Sequence, residues 1–358
     1  MHLAEALEHG DHNITIVDPH EELLKMIESQ SDLMTIIGDS TSIKVLQQAN
    51  VKKADLVIAV LHDEHINLLT GILAKKLGAK KVIVRVNTME NLSKESWRIY
   101  QDLGIDGIVS PEDIASQEII NLLKQNVATE AHDFAGGKLE LLMFKLEPNA
   151  AAINKTLEEV VENYKHIDFR ALAINRRQNT FIPKPNDVFR EGDLVYVITK
   201  PHAIKELMQL SGRTRVSINN VMIVGGGRIG KQTAKLLEND LNIKIFEMDK
   251  SRSLELTNSL TNTLVVNADA RNVDLLEDEG IKDMDAFIAV TDNTETNILT
   301  CLQAKSFGVK RTIAMVENID YIDISQNIGI DTIINKKLIA ASYMVRYTLG
   351  GNVSALKC

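Results

Sequence analysis

Apolar positions along this chain fall into short blocks that alternate with longer stretches of helical period. His12 to Asp18 (HNITIVD) reads as a strand ending in an acid, and Glu21 to Gln30 as a helix. Met34 to Ile37 reads as a strand closing on Gly38-Asp39, and Ser42 to Ala49 as a helix. Asp55 to Leu61 (DLVIAVL) is almost continuously apolar, the pattern of a strand covered on both faces. His65 to Leu77 and Lys81 to Val86 continue as helix and strand, while residues 1 to 9 read as a helix entered in mid-course. Strict alternation of strand and helix predicts a doubly wound parallel sheet.

The pattern returns about 230 residues later, which identifies an internal duplication. NITIVD at 13 answers NIKIFE at 242, and ADLVIAV at 54 answers MDAFIAV at 284. Asn67 and Asn297 fall in register, and Gly38-Asp39 answers Ala268-Asp269. Carried back to the start, the alignment sets Met1 against Gly230, so the first copy lacks its opening strand and the turn after it. Such a gap leaves unpaired backbone groups, which is costly. Two explanations are open: a start that falls inside the domain, or a domain that borrows a strand from elsewhere. Between the copies, Lys138 to Leu146 (KLELLMFKL) alternates apolar and polar, as a half-buried strand does. With a helix over Leu157 to Asn163, strands over Arg170 to Arg176 and Leu194 to Thr199, and a helix over His202 to Leu210, it predicts a small α+β module. The expected division is 1–125, 126–212 and 217–350, with Ser211 to Ser217 as linker and 351–358 as the opening strand of a further module.

Chemistry concentrates where the second copy opens. Val221 to Val224 is an apolar strand running into Gly225-Gly226-Gly227-Arg228-Ile229-Gly230, with a helix expected over Lys231 to Asn239. Gly225, Gly227 and Gly230 occupy the three places of G-x-G-x-x-G, one for a tight turn, one for pyrophosphate approach and one for close helix packing. The following helix would aim free N–H groups and its positive end at phosphates. The next strand ends in Glu247, 22 residues after Gly225, where an acid can accept hydrogen bonds from a ribose diol. Ligands of open α/β sheets lie beyond the carboxyl ends of the strands. In the second copy those ends also carry Asp269 and Val290-Thr291-Asp292; in the first they carry Asp18, Asp39, Val60-Leu61 and Arg85. Asp269 reads equally as a helix cap or a ligand contact. Arg85, inside an apolar strand, suits phosphate or a salt bridge to an acid at the sheet edge.

Composition narrows the classes. A formal net charge of -9 and the lack of a long basic run argue against nucleic acid as a partner. No apolar run approaches the ~20 residues of a membrane span. The two cysteines, Cys301 and Cys358, have no metal spacing and imply no disulfide framework, which fits a reducing cytoplasm; Cys301 is expected in the core. All nine histidines lie at or before His202, so the second copy offers none as an acid or base. Tyr196 and Lys200 have the spacing of a short-chain dehydrogenase pair, but on a strand residues four apart stand more than about 10 Å apart. His62 and His65, flanking Asp63-Glu64, read as a solvated loop before a metal site.

Two such nucleotide domains around a small α+β module resemble the Trk family of bacterial potassium-uptake regulatory proteins, built from RCK (regulator of K⁺ conductance, or KTN) domains. The segments that carry the resemblance are VMIVGGGRIG, KIFEMDKSR, NADA and AVTDNTETNIL in the second half, and ITIVD, IIGDST, ADLVIAV and VIVRVN in the first. It implies two Rossmann-like parallel-sheet domains and a cytosolic, non-enzymatic subunit peripheral to the inner face of the membrane. It also implies assembly as a homo-oligomer and gating of an integral-membrane, TrkH/TrkG-like potassium transporter subunit. The ligands it implies are NAD(H) and ADP or ATP. By the resemblance, Gly225, Gly226, Gly227, Arg228, Ile229, Gly230 and Glu247 hold the second nucleotide, and Asp18, Val60, Leu61 and Arg85 hold what remains of the first. The family has a first glycine loop and a second C-domain that this sequence does not show. The rival function is an NAD(P)-dependent oxidoreductase.

Overall fold

The computed structural model describes residues 12–30, 33–87, 91, 93–124, 130–134, 138–176, 179–212 and 218–345. The helix expected over 1–9, most of the linker at 211–217 and the strand expected after Gly351 lie outside the described residues. Two compact units are present, one combining 1–119, 222–282 and 287–358, the other combining 120–221 and 283–286. Both copies of the repeat therefore share one unit.

The first copy contains β1 (Thr15–Asp18), α1 (Glu21–Gln30), β2 (Met34–Ile37), α2 (Ile43–Gln48), β3 (Leu56–Ala59), α3 (Glu64–Leu77), β4 (Lys81–Arg85), α4 (Lys94–Asp102), β5 (Gly107–Val109) and α5 (Pro111–Lys124). The intervening module contains β6 (Glu130–Phe134), β7 (Leu139–Lys145), α6 (Leu157–Asn163), β8 (Phe169–Arg176), β9 (Asn179–Phe181), β10 (Leu194–Thr199) and α7 (Ile204–Leu210). The second copy contains β11 (Asn220–Val224), α8 (Arg228–Leu237), β12 (Asn242–Glu247), α9 (Lys250–Ser259), β13 (Thr263–Asn267), α10 (Val273–Asp278), β14 (Ala286–Ala289), α11 (Thr294–Ser306), β15 (Arg311–Met315), α12 (Asp320–Asn327), β16 (Thr332–Ile334) and α13 (Lys336–Val345).

The second copy is one six-stranded sheet in the order β13-β12-β11-β14-β15-β16. Within the copy this is 3-2-1-4-5-6, the doubly wound order of dinucleotide-binding folds. Its central strands are continuously apolar because helices cover both faces: every residue of β14, AFIA, is buried. The first copy has five described strands, in a pair, β1-β2, and a triplet, β3-β4-β5. Thr15 sits opposite Met34 in the pair, and Leu56 opposite Lys81 in the triplet, both in parallel register. The central place that β11 holds between β12 and β14 has no described strand here, as the repeat alignment predicts. Burial follows: of LVIA in β3 only Ala59 is fully buried. Leu56 and Ile58 pack instead into a cluster of Ile83, Val109, Ala340 and Met344, so α13 of the second copy shields that part of the first.

The module is an antiparallel sheet in the order β6-β7-β10-β8-β9. The alternation read in LVYVIT is observed: Val195, Val197 and Thr199 point into the core with Leu142, Phe144, Ile174 and Leu207. Thr156 and Glu159 close a capping box at the start of α6. Tyr196 lies on β10, while Lys200, just beyond it, pairs with Asp168 at 2.7 Å, so the dehydrogenase-like spacing is a strand feature. The module's strongest polar lock is Arg176 with Asp193. Arg176 Nε and Nη2 each donate to a carboxylate oxygen of Asp193 at 2.7 Å, and Nη2 also donates to the Val188 carbonyl. Asp193 is 1% exposed, and the pair raises the Arg176 pKa above its ordinary value. Asp193→Ala would strand a guanidinium over a buried surface. The expected loss is about 3–5 kcal/mol, read by urea unfolding followed by circular dichroism.

Candidate nucleotide site

The turn after β11 departs from one expectation. Its helix starts at Arg228, not Lys231, with Gly227 as the N-cap and no side-chain cap. Arg228, Ile229 and Gly230 are therefore the first helical turn, whose N–H groups lack intrahelical acceptors.

The three motif glycines have different surroundings. Gly225 has φ +104°, which L side chains rarely adopt, and a Cβ on it would lie 2.9 Å from Thr291 N and 3.0 Å from the Val290 carbonyl. A Cβ on Gly230 would overlap the Gly225 carbonyl oxygen, so only glycine lets α8 close onto the turn. A Cβ on Gly227 would meet nothing within 4 Å. Two glycines thus satisfy the protein's own packing, while the third faces open space. Gly226 is the fourth glycine of the turn, and its N–H donates to Glu247 Oε2 at 2.9 Å.

Glu247, at the end of β12, is 7% exposed. Its Oε1 accepts from Asp249 N at 2.8 Å, and Arg252 Nη1 stands 3.6 Å from Oε2. The acid therefore braces the glycine turn and the start of α9 together, with lone pairs left over for a further donor. Asp269 is not a helix cap: Asn272 caps α10 by accepting from Leu275 N. Asp269 instead accepts from Arg271 N at 2.9 Å and pairs with its guanidinium at 2.7 Å. The Arg271 hydrogen bonds hold its carboxyl below the usual range. Val290 is buried, Thr291 half-buried and Asp292 exposed at the rim. Thr291 N and Oγ1 both donate to Asn297 Oδ1, a residue the sequence showed only as a register match to Asn67.

The first copy's candidates are engaged locally. Asp18 accepts from His20 N and faces His20 Nδ1, each at 2.8 Å. Asp39 accepts from Thr41 N and Oγ1, which hold its carboxyl below the usual range. Val60 is exposed, and Leu61 N donates to Asn67 Oδ1. For Arg85 the salt-bridge reading is the one observed: its Nη2 lies 3.7 Å from Glu112 Oε1, and its Nε donates to Asn87 Oδ1 at 3.2 Å. Arg228, from the second copy's turn, approaches the same Glu112 oxygen at 3.8 Å and donates to the Asn87 carbonyl at 3.3 Å. Glu112, which no motif singled out, thus stands between guanidiniums of both copies. Its other oxygen is buried and has no hydrogen-bond partner among the described residues. Asp63 caps α3 by accepting from His65 N and Ile66 N, which accounts for the His62–His65 stretch. Among the described residues no cluster of three metal-ligating side chains occurs. Cys301 is fully buried, and burial pushes its thiol pKa up, as expected of a core residue.

The order of the second sheet, the glycine turn and the acid at the next strand end define a Rossmann-like class of domain, whose strand and helix pattern the first copy repeats in part. Comparison with known proteins agrees. The TrkA-N domain model matches residues 1–111 and 221–336, and the TrkA-C domain model matches 141–212. The Trk system potassium uptake protein TrkA of Haemophilus influenzae is 30% identical over 98% of this chain and 77% of its own length. A TrkA homolog of Archaeoglobus fulgidus is 31% identical over 94% of this chain and 76% of its own. In fold, the chain is similar to the GsuK RCK domain (TM-score 0.67, 19% identity, 97% of this chain and 74% of that one). It is equally similar to the GsuK channel bound to NAD (TM-score 0.67, 19% identity, 96% of this chain and 60% of that one). The chain belongs to the TrkA family of potassium-uptake proteins.

Because the Gly230 clash is with backbone, no side-chain movement relieves it. Gly230→Ala should destabilise the protein by more than about 2 kcal/mol, seen as a lowered urea midpoint.

Proposed function

We propose that this chain is a non-enzymatic regulatory subunit that binds a dinucleotide in its second copy and transmits occupancy to an integral-membrane potassium transporter. The observation that carries the reading is the contrast among the glycines: Gly225 and Gly230 are required by packing, whereas Gly227 is left facing open space at a helix N-terminus. A methyl there would cost the fold little but would fill the ground where a diphosphate approaches the backbone. The residues present suit NAD(H). The Gly225–Gly230 turn takes the diphosphate, Glu247 takes the ribose diol, and Val290, Thr291 and Asp292 line the opposite strand end. ADP or ATP shares the diphosphate and ribose and fits the same groups. A 2′-phosphate does not suit Glu247, whose carboxylate would repel it. In the first copy, Asp18, Asp39, Val60, Leu61 and Arg85 supply strand-end contacts to a weaker site.

Regulation in place of turnover is supported by family membership and by the distribution of histidine, which stops at His202. Binding shifts a conformational equilibrium only through differential affinity for two states. Arg228 offers a route for that difference. It belongs to the turn that would receive the diphosphate, yet its guanidinium rests on Glu112 and Asn87 of the first copy. A change in the turn is therefore felt across the pair. Copies of the chain would assemble at the cytoplasmic face beneath a TrkH/TrkG-like partner, so that small changes add.

Gly227→Ala tests the carrying observation. It should cost about 1 kcal/mol of stability, the difference between glycine and alanine at an N-cap, with no packing clash added. NADH affinity by calorimetry should fall by at least about tenfold, the effect of ~1.4 kcal/mol; unchanged affinity would remove the diphosphate from this turn. Wild-type protein should also bind NADH at least about tenfold more tightly than NADPH, and equal affinities would exclude Glu247 as the ribose acceptor. Steady oxidation of NADH with any carbonyl substrate would favour the oxidoreductase reading.

A further inference from the structure

We infer that Asn297 is the positioning residue of the second nucleotide site, setting the wall that faces the glycine turn. The inference rests on the dinucleotide reading above. Asn297 sits in the first turn of α11, is 0% exposed, and uses its full hydrogen-bonding capacity. Oδ1 accepts from Thr291 N at 2.9 Å and from Thr291 Oγ1 at 2.7 Å. Nδ2 donates to the carbonyls of Thr291 and Met315, both at 2.9 Å. A backbone N–H can only donate and a carbonyl only accept, so the orientation of the amide is unambiguous. One buried side chain thereby ties the segment after β14 to the end of β15. The peptide it holds is the one against which Gly225 packs, with Thr291 N and the Val290 carbonyl about 3 Å from where a Cβ would stand. Its four hydrogen bonds go to Thr291 and Met315, so it acts on the glycine turn through Val290 and Thr291. The first copy builds the same clasp independently. Asn67 Oδ1 accepts from Leu61 N at 2.8 Å, and its Nδ2 donates to the carbonyls of Leu61 and Arg85 at 2.9 and 3.1 Å. Asn67 is the in-register counterpart of Asn297, so the clasp is a feature that both copies of the repeat carry.

The test compares NADH affinity with stability in three proteins. N297L keeps the number and branching of the side-chain heavy atoms, in a larger volume, but removes all four hydrogen bonds. E238Q is the structural control: Glu238 Oε2 accepts from Thr261 N, Asn262 N and Thr263 Oγ1 where β13 begins, at the opposite end of the same sheet. Both variants should lower the thermal midpoint. N297L, confirmed folded by circular dichroism, should weaken NADH binding at least about tenfold, whereas E238Q should stay within about twofold of wild type. Wild-type binding with unchanged affinity in folded N297L overturns the inference alone, as does an equal loss in E238Q. Absence of NADH binding to wild type overturns the dinucleotide reading itself. Should N297L not fold, N297D retains the shape and both acceptor bonds to Thr291 while losing the donors to two carbonyls. The same direction of change is expected, and wild-type affinity in folded N297D overturns the proposal.

Discussion

The structure of the second copy depends on a backbone-to-backbone approach, the first turn of α8 lying against the carbonyl of Gly225. No side chain can intervene, because the Cβ that Gly230 lacks would occupy the position of that oxygen. From this contact the direction of α8 follows, and with it the direction of the N–H groups that open the helix. Glu247 then has a fixed target in the Gly226 amide, and Asn297 a fixed wall to hold in Val290–Thr291. The open ground at Gly227 is what remains when everything around it has been packed.

A second constraint is the continuity of the parallel sheet. Where β11 lies between its neighbours, β14 is buried along its whole length; where no central strand is described, β3 is half-exposed and leans on α13. The two copies are thus unequal in a way that bears on function. One has the full glycine turn with Glu247 beside it, the candidate nucleotide site. The other offers strand ends and, through Glu112, a resting place for Arg228 of the second copy.

Much of this was legible in the amino-acid order. Apolar runs such as DLVIAVL predicted strands, and repeating them at a fixed interval exposed the duplication; the cover expected on both faces is complete for AFIA of β14 and partial for β3. Boundaries and partners were harder. The helix expected from Lys231 begins at Arg228 because Arg228-Ile229-Gly230 reads as turn by composition although its glycine serves helix packing. Asp269 was read equally as a helix cap or a ligand contact; the cap of α10 is Asn272, three residues on, which only the geometry shows. Arg85 was seen as a buried-strand cation, but its partner Glu112 is also approached by a residue of the other copy, a relation no local pattern contains. Asn297 was visible only as a register match, since a helix-turn asparagine is ordinarily a cap or a solvated side chain.

The central claim is that the turn from Gly225 to Gly230 receives a dinucleotide and responds without chemical turnover. A crystal structure of the protein grown with NADH tests it most directly. The account predicts density for an intact dinucleotide, with its diphosphate over Gly227 at the start of α8 and its adenosine ribose at Glu247. A turn left empty while NADH occupies another surface, or one closed by a side chain, would contradict it.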